Sequence, residues 1–250
     1  MRAAFFDLDR TLLRRSSALA LAKPFRARGL ISRGDLARAA FWQLLFVARG
    51  ATHAEVRKVA DRGLTILEGM EPGELARLVE GALEPVLRPL LVPEVVAAAE
   101  ELRAGGHRLY IVSTALQDIV DALAADLRFD GGLGTIAEIG PDGRYTGRAL
   151  RALHGAAKVD AVRELAAAEG IDLAASVAYS DGYSDLPLLE AVGRAVAVNP
   201  DRKLRRVAGE RGYPVLEGRR SPGLRPRPYG AALGLALGLG AALAARRRAG

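Results

Sequence analysis

The stretch AAFFDLDRTLL, residues 3–13, decides the fold of this 250-residue chain. It starts with an apolar run without a polar break, which is typical of a strand buried inside a parallel sheet. Asp7 follows the run directly, and Asp9 comes two residues later. Since open α/β sheets place their sites at the carboxyl ends of strands, we expect both carboxylates at that edge. An aspartate-capped turn is the alternative interpretation.

The spacing of these two aspartates indicates a chemistry. A carboxylate such as Asp7 can attack phosphorus as a nucleophile. Asp9 lies at the same end of the strand but beside the leaving group, so it can donate and accept a proton. Together the two negative charges attract a divalent cation.

From Pro93 onward, helical and strand patterns alternate along the chain. This alternation predicts the α/β fold class, with a doubly wound, Rossmann-like parallel sheet. The turn signal Pro141-Asp142-Gly143 predicts a hairpin over residues 133–149. The other predicted strands are 107–112, 176–180, 194–199 and a short one within 213–217.

Residues 14–91 interrupt this pattern after the first strand. They show helical patterns without a strand pattern, and the segment 36–50 is apolar along most of one side. An insertion of this length is too long for a loop. We therefore predict an all-helical cap domain over 14–91, inserted into a catalytic core formed by 1–13 and 92–216.

A second motif is Ser113, which follows the predicted strand 107–112 and is expected to open a helix. Its hydroxyl and the free amides of a helix N-terminus can hold a phosphoryl oxygen, and Thr114 is a neighbouring candidate. An ordinary helix N-cap is the alternative.

The third motif is Lys158, in the first turns of a predicted helix. The chain contains 36 basic residues, of which only four are lysines, at positions 23, 58, 158 and 203. A compact ammonium can neutralise phosphate charge in a tight pocket. A solvated surface lysine is the alternative interpretation.

The fourth motif, SDGYSD, places Asp181 and Asp185 after another apolar strand. Asp181 is positioned to ligate a cation, and Asp185 to ligate through water or to orient Asp181. Asp185 can also be a plain helix N-terminal acid. The expected metal is Mg²⁺, because the candidate ligands are carboxylates and the chain has no cysteine.

The net charge of +7 suggests a nucleic-acid partner, but its distribution does not support one. Residues 201–250 contain 12 of the 36 basic and 3 of the 29 acidic residues. Residues 1–200 therefore contain 24 basic and 26 acidic residues, which is close to neutral. No interleaving of aromatic and basic residues marks a nucleic-acid surface, so no such partner is predicted. The first residues lack a signal-peptide pattern, and we expect a cytoplasmic catalytic domain.

The C-terminal region has its own composition. Residues 217–228 are rich in Arg, Pro and Gly and are interpreted as a linker. Residues 229–245 carry no charge, and as a helix they would span about 26 Å, just short of a ~30 Å hydrocarbon core. We predict a membrane-anchoring helix over 229–250, with membrane contact through 229–245. A loosely ordered apolar tail, or a helix lying on the body, is the alternative.

The order DxDxT, helical insertion, Ser, Lys and DxxxD resembles the haloacid dehalogenase superfamily of phosphotransferases. It is most similar to the phosphoserine-phosphatase-like branch, and the likeness spans roughly residues 3–216. The resemblance implies a magnesium-dependent phosphomonoester hydrolase that acts through a phosphoaspartyl intermediate. A phosphorylated small molecule or lipid is the implied substrate.

The resemblance also implies roles for the motif residues. Asp7 would form the aspartyl-phosphate, and Asp9 would protonate the leaving alcohol and then activate water. Ser113 and Lys158, with Thr114 as a neighbour, would bind the phosphoryl group. The implied Mg²⁺ ligands are Asp7, the backbone carbonyl of Asp9, and Asp181, with Asp185 in support.

One departure concerns substrate choice. Phosphoserine phosphatases carry a glutamate shortly after DxDxT, whereas here no acid occurs between Asp9 and Asp35. This argues against phosphoserine. We predict that the residues at this place help select the substrate; they are Arg14, Arg15, Ser16 and Ser17.

Three other functions remain open. The first is a phosphoserine phosphatase proper. The second is a phosphorylatable signalling domain, which is disfavoured because such domains lack the DxDxT spacing and the helical insert. The third is an inactive, membrane-anchored scaffold, which is disfavoured because all the motif acids are present.

Overall fold

The computed structural model describes residues 1–29 and 64–218. The predicted helix over 36–50, the linker beyond Gly218 and the tail 229–250 lie outside the described residues, so these stay predictions. None of the helices in the described ranges has the length and hydropathy needed to cross a membrane.

The described part of the chain contains a seven-stranded sheet in the order β4-β3-β2-β1-β5-β6-β7. All neighbouring pairs are parallel except β3 and β4, which form the predicted antiparallel hairpin. The α/β fold class is thereby confirmed. The strands are β1 (Ala3–Phe6), β2 (Arg108–Leu116), β3 (Gly131–Ile139), β4 (Tyr145–Arg151), β5 (Val177–Ser180), β6 (Arg194–Val198) and β7 (Val215–Leu216).

The helices from Pro93 onward pack against this sheet and connect its strands. Short 3-10 turns precede several of them, and two left-handed glycines, Gly170 and Gly212, end the helices that lead to β5 and β7. The α-helices are α1 (Ser17–Ala27), α2 (Pro72–Ala82), α3 (Pro93–Ala104), α4 (Gln117–Asp126), α5 (Ala156–Glu169), α6 (Leu186–Glu190) and α7 (Arg202–Arg211).

The predicted helix start at Ser113 is wrong. Strand β2 continues to Leu116, and α4 begins at Gln117. The reason is long-range pairing: after a register shift beyond Val112, Leu116 still pairs with Thr135 of β3. Because β3 provides this partner, residues that looked like a helix opening remain extended.

The centre of the sheet is packed by aromatic side chains. Phe5 pairs in register with Tyr110, and Phe6 stacks on Tyr179 with ring centroids 4.7 Å apart. Both phenylalanines are fully buried, and burial of each contributes roughly 1.5–3 kcal/mol. This packing holds β1 between β2 and β5, so the carboxyl end of β1 is placed at the middle of the sheet edge.

The chain divides into two compact units. In the described residues, the first unit contains 1–17, 83–135 and 153–218, and the second contains 18–29, 64–82 and 136–152. Within the second unit, backbone hydrogen bonds join Gly69 and Met70 to Tyr145 at the start of β4. The predicted domain boundaries stay a prediction.

Candidate active site

Two central strands of the first unit end in aspartates. Asp7 follows β1 and Asp181 follows β5, and these strands are neighbours in the sheet. The amide of Asp7 donates a hydrogen bond to the carbonyl of Tyr179, at 2.9 Å. The two acids therefore stand at one edge, which is the place expected for sites in parallel sheets.

Lys158 lies at the centre of this group. Its Nζ is 2.6 Å from Oδ1 of Asp7 and 2.8 Å from Oδ2 of Asp185, and its side chain is only 3% exposed. The residue belongs to the first turn of α5, whose N-cap residue Gly155 has a positive φ of 56°. Buried charges need partners of opposite sign, and Lys158 has two, so it is not a solvated surface lysine.

Burial and charge shift the pKa values of this group. Burial raises the pKa of Asp7 to about 6, against an opposing effect of the Lys158 charge. For Lys158, burial lowers the pKa, but the carboxylates of Asp185 and Asp7 raise it further, so the net direction is upward. The lysine is therefore held in its charged form between the two acids.

Asp9 is held by the beginning of α1. Its Oδ1 accepts a hydrogen bond from the amide of Ser17, at 2.8 Å. Burial raises the pKa of Asp9, and the hydrogen bonds from Ser17 and Ser16 oppose that rise. Both serines are themselves buried, so at least Ser17 acts on the position of Asp9.

The arginines next to these serines lie differently. Arg15 is exposed, whereas Arg14 is partly buried. The amide of Arg14 donates to the carbonyl of Leu90, and its side chain lines a cavity together with Pro93, Glu94 and Ala97.

Two hydroxyl groups that the sequence interpretation left without a role hold the acids in place. Thr11 Oγ1 donates to Oδ2 of Asp7 at 3.2 Å, and Ser180 Oγ donates to Oδ2 of Asp185 at 2.8 Å. Ser180 is fully buried at the end of β5. A hydroxyl at the end of an otherwise apolar strand is the signal that could have indicated this role.

A third contact that the sequence did not indicate involves Arg10. Its Nε lies 3.0 Å from Oδ2 of Asp181, and its backbone is left-handed, with φ of 71°. No local pattern could have indicated this ion pair, because its partners are 171 positions apart along the chain.

Ser113 and Thr114 lie near the same sheet edge but inside β2. Ile111 pairs with Phe6, so Ser113 is placed just beyond the end of β1. Ser113 is fully buried, and its Oγ accepts a hydrogen bond from the amide of Ala115 at 3.1 Å. The hydroxyl of Thr135 donates to the carbonyl of Thr114.

The donor atoms of this edge fit a hard cation. Four aspartates stand against two cations, Lys158 and Arg10, and carboxylate oxygens are the ligands that Mg²⁺ prefers. No ready-made cluster of three acidic, histidine or cysteine side chains occurs within 1–29 and 64–218. In the structure Lys158 stands between Asp7 and Asp185, and Arg10 contacts Asp181.

Comparison with known proteins shows the family to which the chain is similar. The model of the haloacid dehalogenase-like hydrolases matches residues 4–190. A probable phosphatase of Mycobacterium tuberculosis is 38% identical over 247 residues, which covers 97% of this chain and 86% of that protein. A phosphoserine phosphatase of the same organism is 35% identical, covering 98% and 81%. An "inhibition of morphological differentiation protein" of Streptomyces azureus is 38% identical, covering 90% and 81%.

Solved structures agree with this assignment. A protein of unknown function from Bordetella pertussis superimposes with a TM-score of 0.76 at 32% identity, covering 86% of this chain and 98% of that chain. A phosphoserine phosphatase with a phospho-aspartyl intermediate analogue has the same fold, with a TM-score of 0.54 at 19% identity, covering 88% and 94%. The chain therefore belongs to the haloacid dehalogenase-like hydrolases, as a phosphatase of their phosphoserine-phosphatase-like branch.

Proposed function

We propose that this protein hydrolyses the phosphomonoester of a small molecule or lipid, with Mg²⁺ and through a phosphoaspartyl intermediate. The observation that carries the proposal is the contact of buried Lys158 with both Asp7 and Asp185 at the carboxyl edge of the sheet. Asp9 lies two residues from Asp7, within reach of the same edge.

In the first half of the reaction, a carboxylate oxygen of Asp7 forms a bond to phosphorus while the ester P–O bond breaks. Thr11 and Lys158 each contact one oxygen of Asp7 and so orient the carboxylate. Asp9 donates its proton to the leaving alkoxide. Burial favours the protonated form of Asp9 because it raises its pKa, which suits a general acid.

In the second half, Asp9 takes a proton from water, and the resulting hydroxide forms a bond to phosphorus. The bond between phosphorus and Asp7 breaks, inorganic phosphate leaves, and Asp9 is protonated again. Ser113, Thr114 and Lys158 bind the phosphoryl oxygens in both steps. The positive charge of Lys158 offsets the charge that develops on those oxygens.

The proposed metal ligands are Asp7, the backbone carbonyl of Asp9, and Asp181, with Asp185 in support. Phosphatases of this family generally use Mg²⁺, which neutralises phosphoryl charge and polarises phosphorus for attack. The excess of carboxylates over cations at this edge supports the assignment, since it leaves negative charge for a divalent ion to balance.

Substrate choice is proposed to depend on the segment after Thr11. Arg14, Arg15, Ser16 and Ser17 replace the acid that a phosphoserine ammonium group would need, so phosphoserine should be a poor substrate. A phosphoserine phosphatase proper is the second candidate, because a relative of that name is 35% identical over nearly the whole chain. A panel of purified phosphomonoesters, including phosphoserine and lipid phosphates, distinguishes the two.

The activity itself is tested with a chromogenic phosphate ester, with Mg²⁺ and with EDTA. Turnover that requires both Mg²⁺ and Asp7 supports the proposal, whereas no turnover of any ester would favour an inactive scaffold. A phosphoaspartate that persists for minutes instead of turning over would favour a signalling domain.

We also propose that the catalytic part is cytoplasmic and that residues 229–245 contact a membrane. The support is the uncharged run 229–245, which Arg246 follows, with the basic linker placed near anionic headgroups. Fractionation of the full chain against a version ending at Glu217 tests this. If both versions stay in the soluble fraction, the anchor proposal fails.

A further inference from the structure

Arg10 forms an ion pair with Asp181, a carboxylate that the proposed function assigns to the metal site. Its Nε is 3.0 Å from Oδ2 of Asp181, and the Asp181 side chain is 6% exposed. Arg10 is more accessible, with 28% of its side chain exposed. A positive group thus lies against a proposed cation ligand, on the side nearer to solvent.

The backbone at Arg10 makes this side chain informative. Its φ of 71° is a left-handed conformation, which glycine adopts readily and other residues adopt with strain. A glycine would serve the turn after Asp9 better. The arginine side chain therefore contributes something else at this position, and the structure shows it in an ion pair with Asp181.

The two cations of the site contact three of its four aspartates. Lys158 contacts Asp7 and Asp185, and with 3% of its side chain exposed it is enclosed by the protein. Arg10 contacts Asp181 and has 28% of its side chain exposed, so solvent is available to hydrate its guanidinium if the ion pair opens. Of the two cations, Arg10 is the one that a metal ion can displace.

We propose that Arg10 competes with the divalent cation for Asp181. Without metal, the guanidinium neutralises this buried carboxylate; when a cation binds, the ion pair must open. Arg10 therefore stabilises the metal-free protein and lowers the affinity of the site for Mg²⁺. The inference rests on the proposed role of Asp181 as a metal ligand.

The alternative role for Arg10, orienting Asp181 for the metal, predicts a change in Mg²⁺ affinity of the opposite sign when Arg10 is removed. If Arg10 orients Asp181 for the metal, as outer partners of metal ligands do, its removal should weaken metal binding by about 10–100-fold. If Arg10 competes, its removal should strengthen binding, because a positive charge near the cation repels it strongly in a poorly solvated site. The sign of one affinity change therefore decides between the roles.

The experiment is calorimetric titration of Mg²⁺ into metal-stripped, full-length protein. Arg10→Gln removes the charge, and we expect the dissociation constant of this variant for Mg²⁺ to fall by about tenfold. Arg10→Lys keeps the charge and should stay close to wild type. The matched control is Arg88→Gln, which breaks the ion pairs of Arg88 with Glu84 and Asp126 and should leave Mg²⁺ affinity unchanged. Equal or weaker binding by Arg10→Gln overturns the inference.

A second readout is thermal unfolding. In EDTA, Arg10→Gln should melt at a lower temperature than wild type, and saturating Mg²⁺ should reduce that difference. If this variant does not fold, Arg10→Asn replaces it, since asparagine tolerates the left-handed backbone. A difference in melting temperature that is the same with and without Mg²⁺ contradicts competition.

Asp181→Asn separates the failure of this inference from that of the proposed function. If it weakens Mg²⁺ binding while Arg10→Gln does not strengthen it, the metal site stands and the competition is refuted. If Asp181→Asn leaves Mg²⁺ binding unchanged, the proposed metal site fails, and the role of Arg10 fails with it.

Discussion

Lys158 in the first unit and Arg144 in the second each bridge two groups, but their surroundings differ. Lys158 contacts two carboxylates and is 3% exposed. Arg144 contacts the carbonyl of Gly69 and the carboxylate of Glu71, and is 44% exposed. The first arrangement removes three charges from water, whereas the second leaves its charges hydrated.

The difference in burial indicates how much each arrangement contributes to the stability of the fold. An exposed pair contributes about 0–1 kcal/mol and needs no functional explanation. A buried ionic cluster is often no more stabilising than apolar residues of the same volume, because desolvation opposes the Coulomb attraction. Stability alone therefore does not account for the cluster around Lys158, whereas the proposed chemistry at phosphate would.

The largest expected effect is on turnover by Asp7→Asn. An amide cannot attack phosphorus, so hydrolysis of a chromogenic ester should fall to background while Lys158 keeps its contact with Asp185. Asp9→Asn should reduce turnover by about 10²–10⁴-fold, the usual contribution of general acid–base catalysis. Near wild-type turnover by Asp7→Asn would show that the cluster is structural.

Lys158→Met should produce the largest loss of stability. Removing one partner from a buried ion pair typically lowers the free energy of unfolding by about 3–5 kcal/mol. Here two carboxylates, Asp7 and Asp185, would lose their buried cation. Urea denaturation in EDTA measures the loss, and a change below 1 kcal/mol would mean that the burial of Lys158 is unimportant.

A smaller effect is expected for the metal. Asp181→Asn should raise the Mg²⁺ concentration needed for half-maximal activity more than Asp185→Asn does. The reason is that Asp185 is already hydrogen-bonded to Lys158 and Ser180. The expected loss for a supporting residue is about 10–100-fold in metal affinity. Equal effects of the two substitutions would place both acids in direct contact with the metal.

The smallest effect is expected for Arg144→Gln in the second unit. Its ion pair with Glu71 is exposed at both ends, so the free energy of unfolding should change by less than about 1 kcal/mol. The same denaturation experiment as for Lys158→Met provides the comparison. A loss as large as that of Lys158→Met would contradict the contrast between the two regions.

The sequence by itself determined the fold class and the places of the key acids. Asp7 and Asp181 each follow an apolar run, and such runs are local signals of buried strands. Because parallel strands share a carboxyl edge, the strand ends predict where these residues meet. The antiparallel hairpin over 133–149 was predicted in the same way, from its turn residues.

Tertiary structure alone decided the partners. Lys158 reaches Asp7 across 151 positions of chain, and no periodicity carries information over that distance. The same holds for Arg10 with Asp181, and for Ser113, which stays extended because β3 pairs with the end of β2. Local patterns reflect the preferences of neighbouring residues, whereas hydrogen bonds and ion pairs between distant segments exist only once the sheet has brought them together.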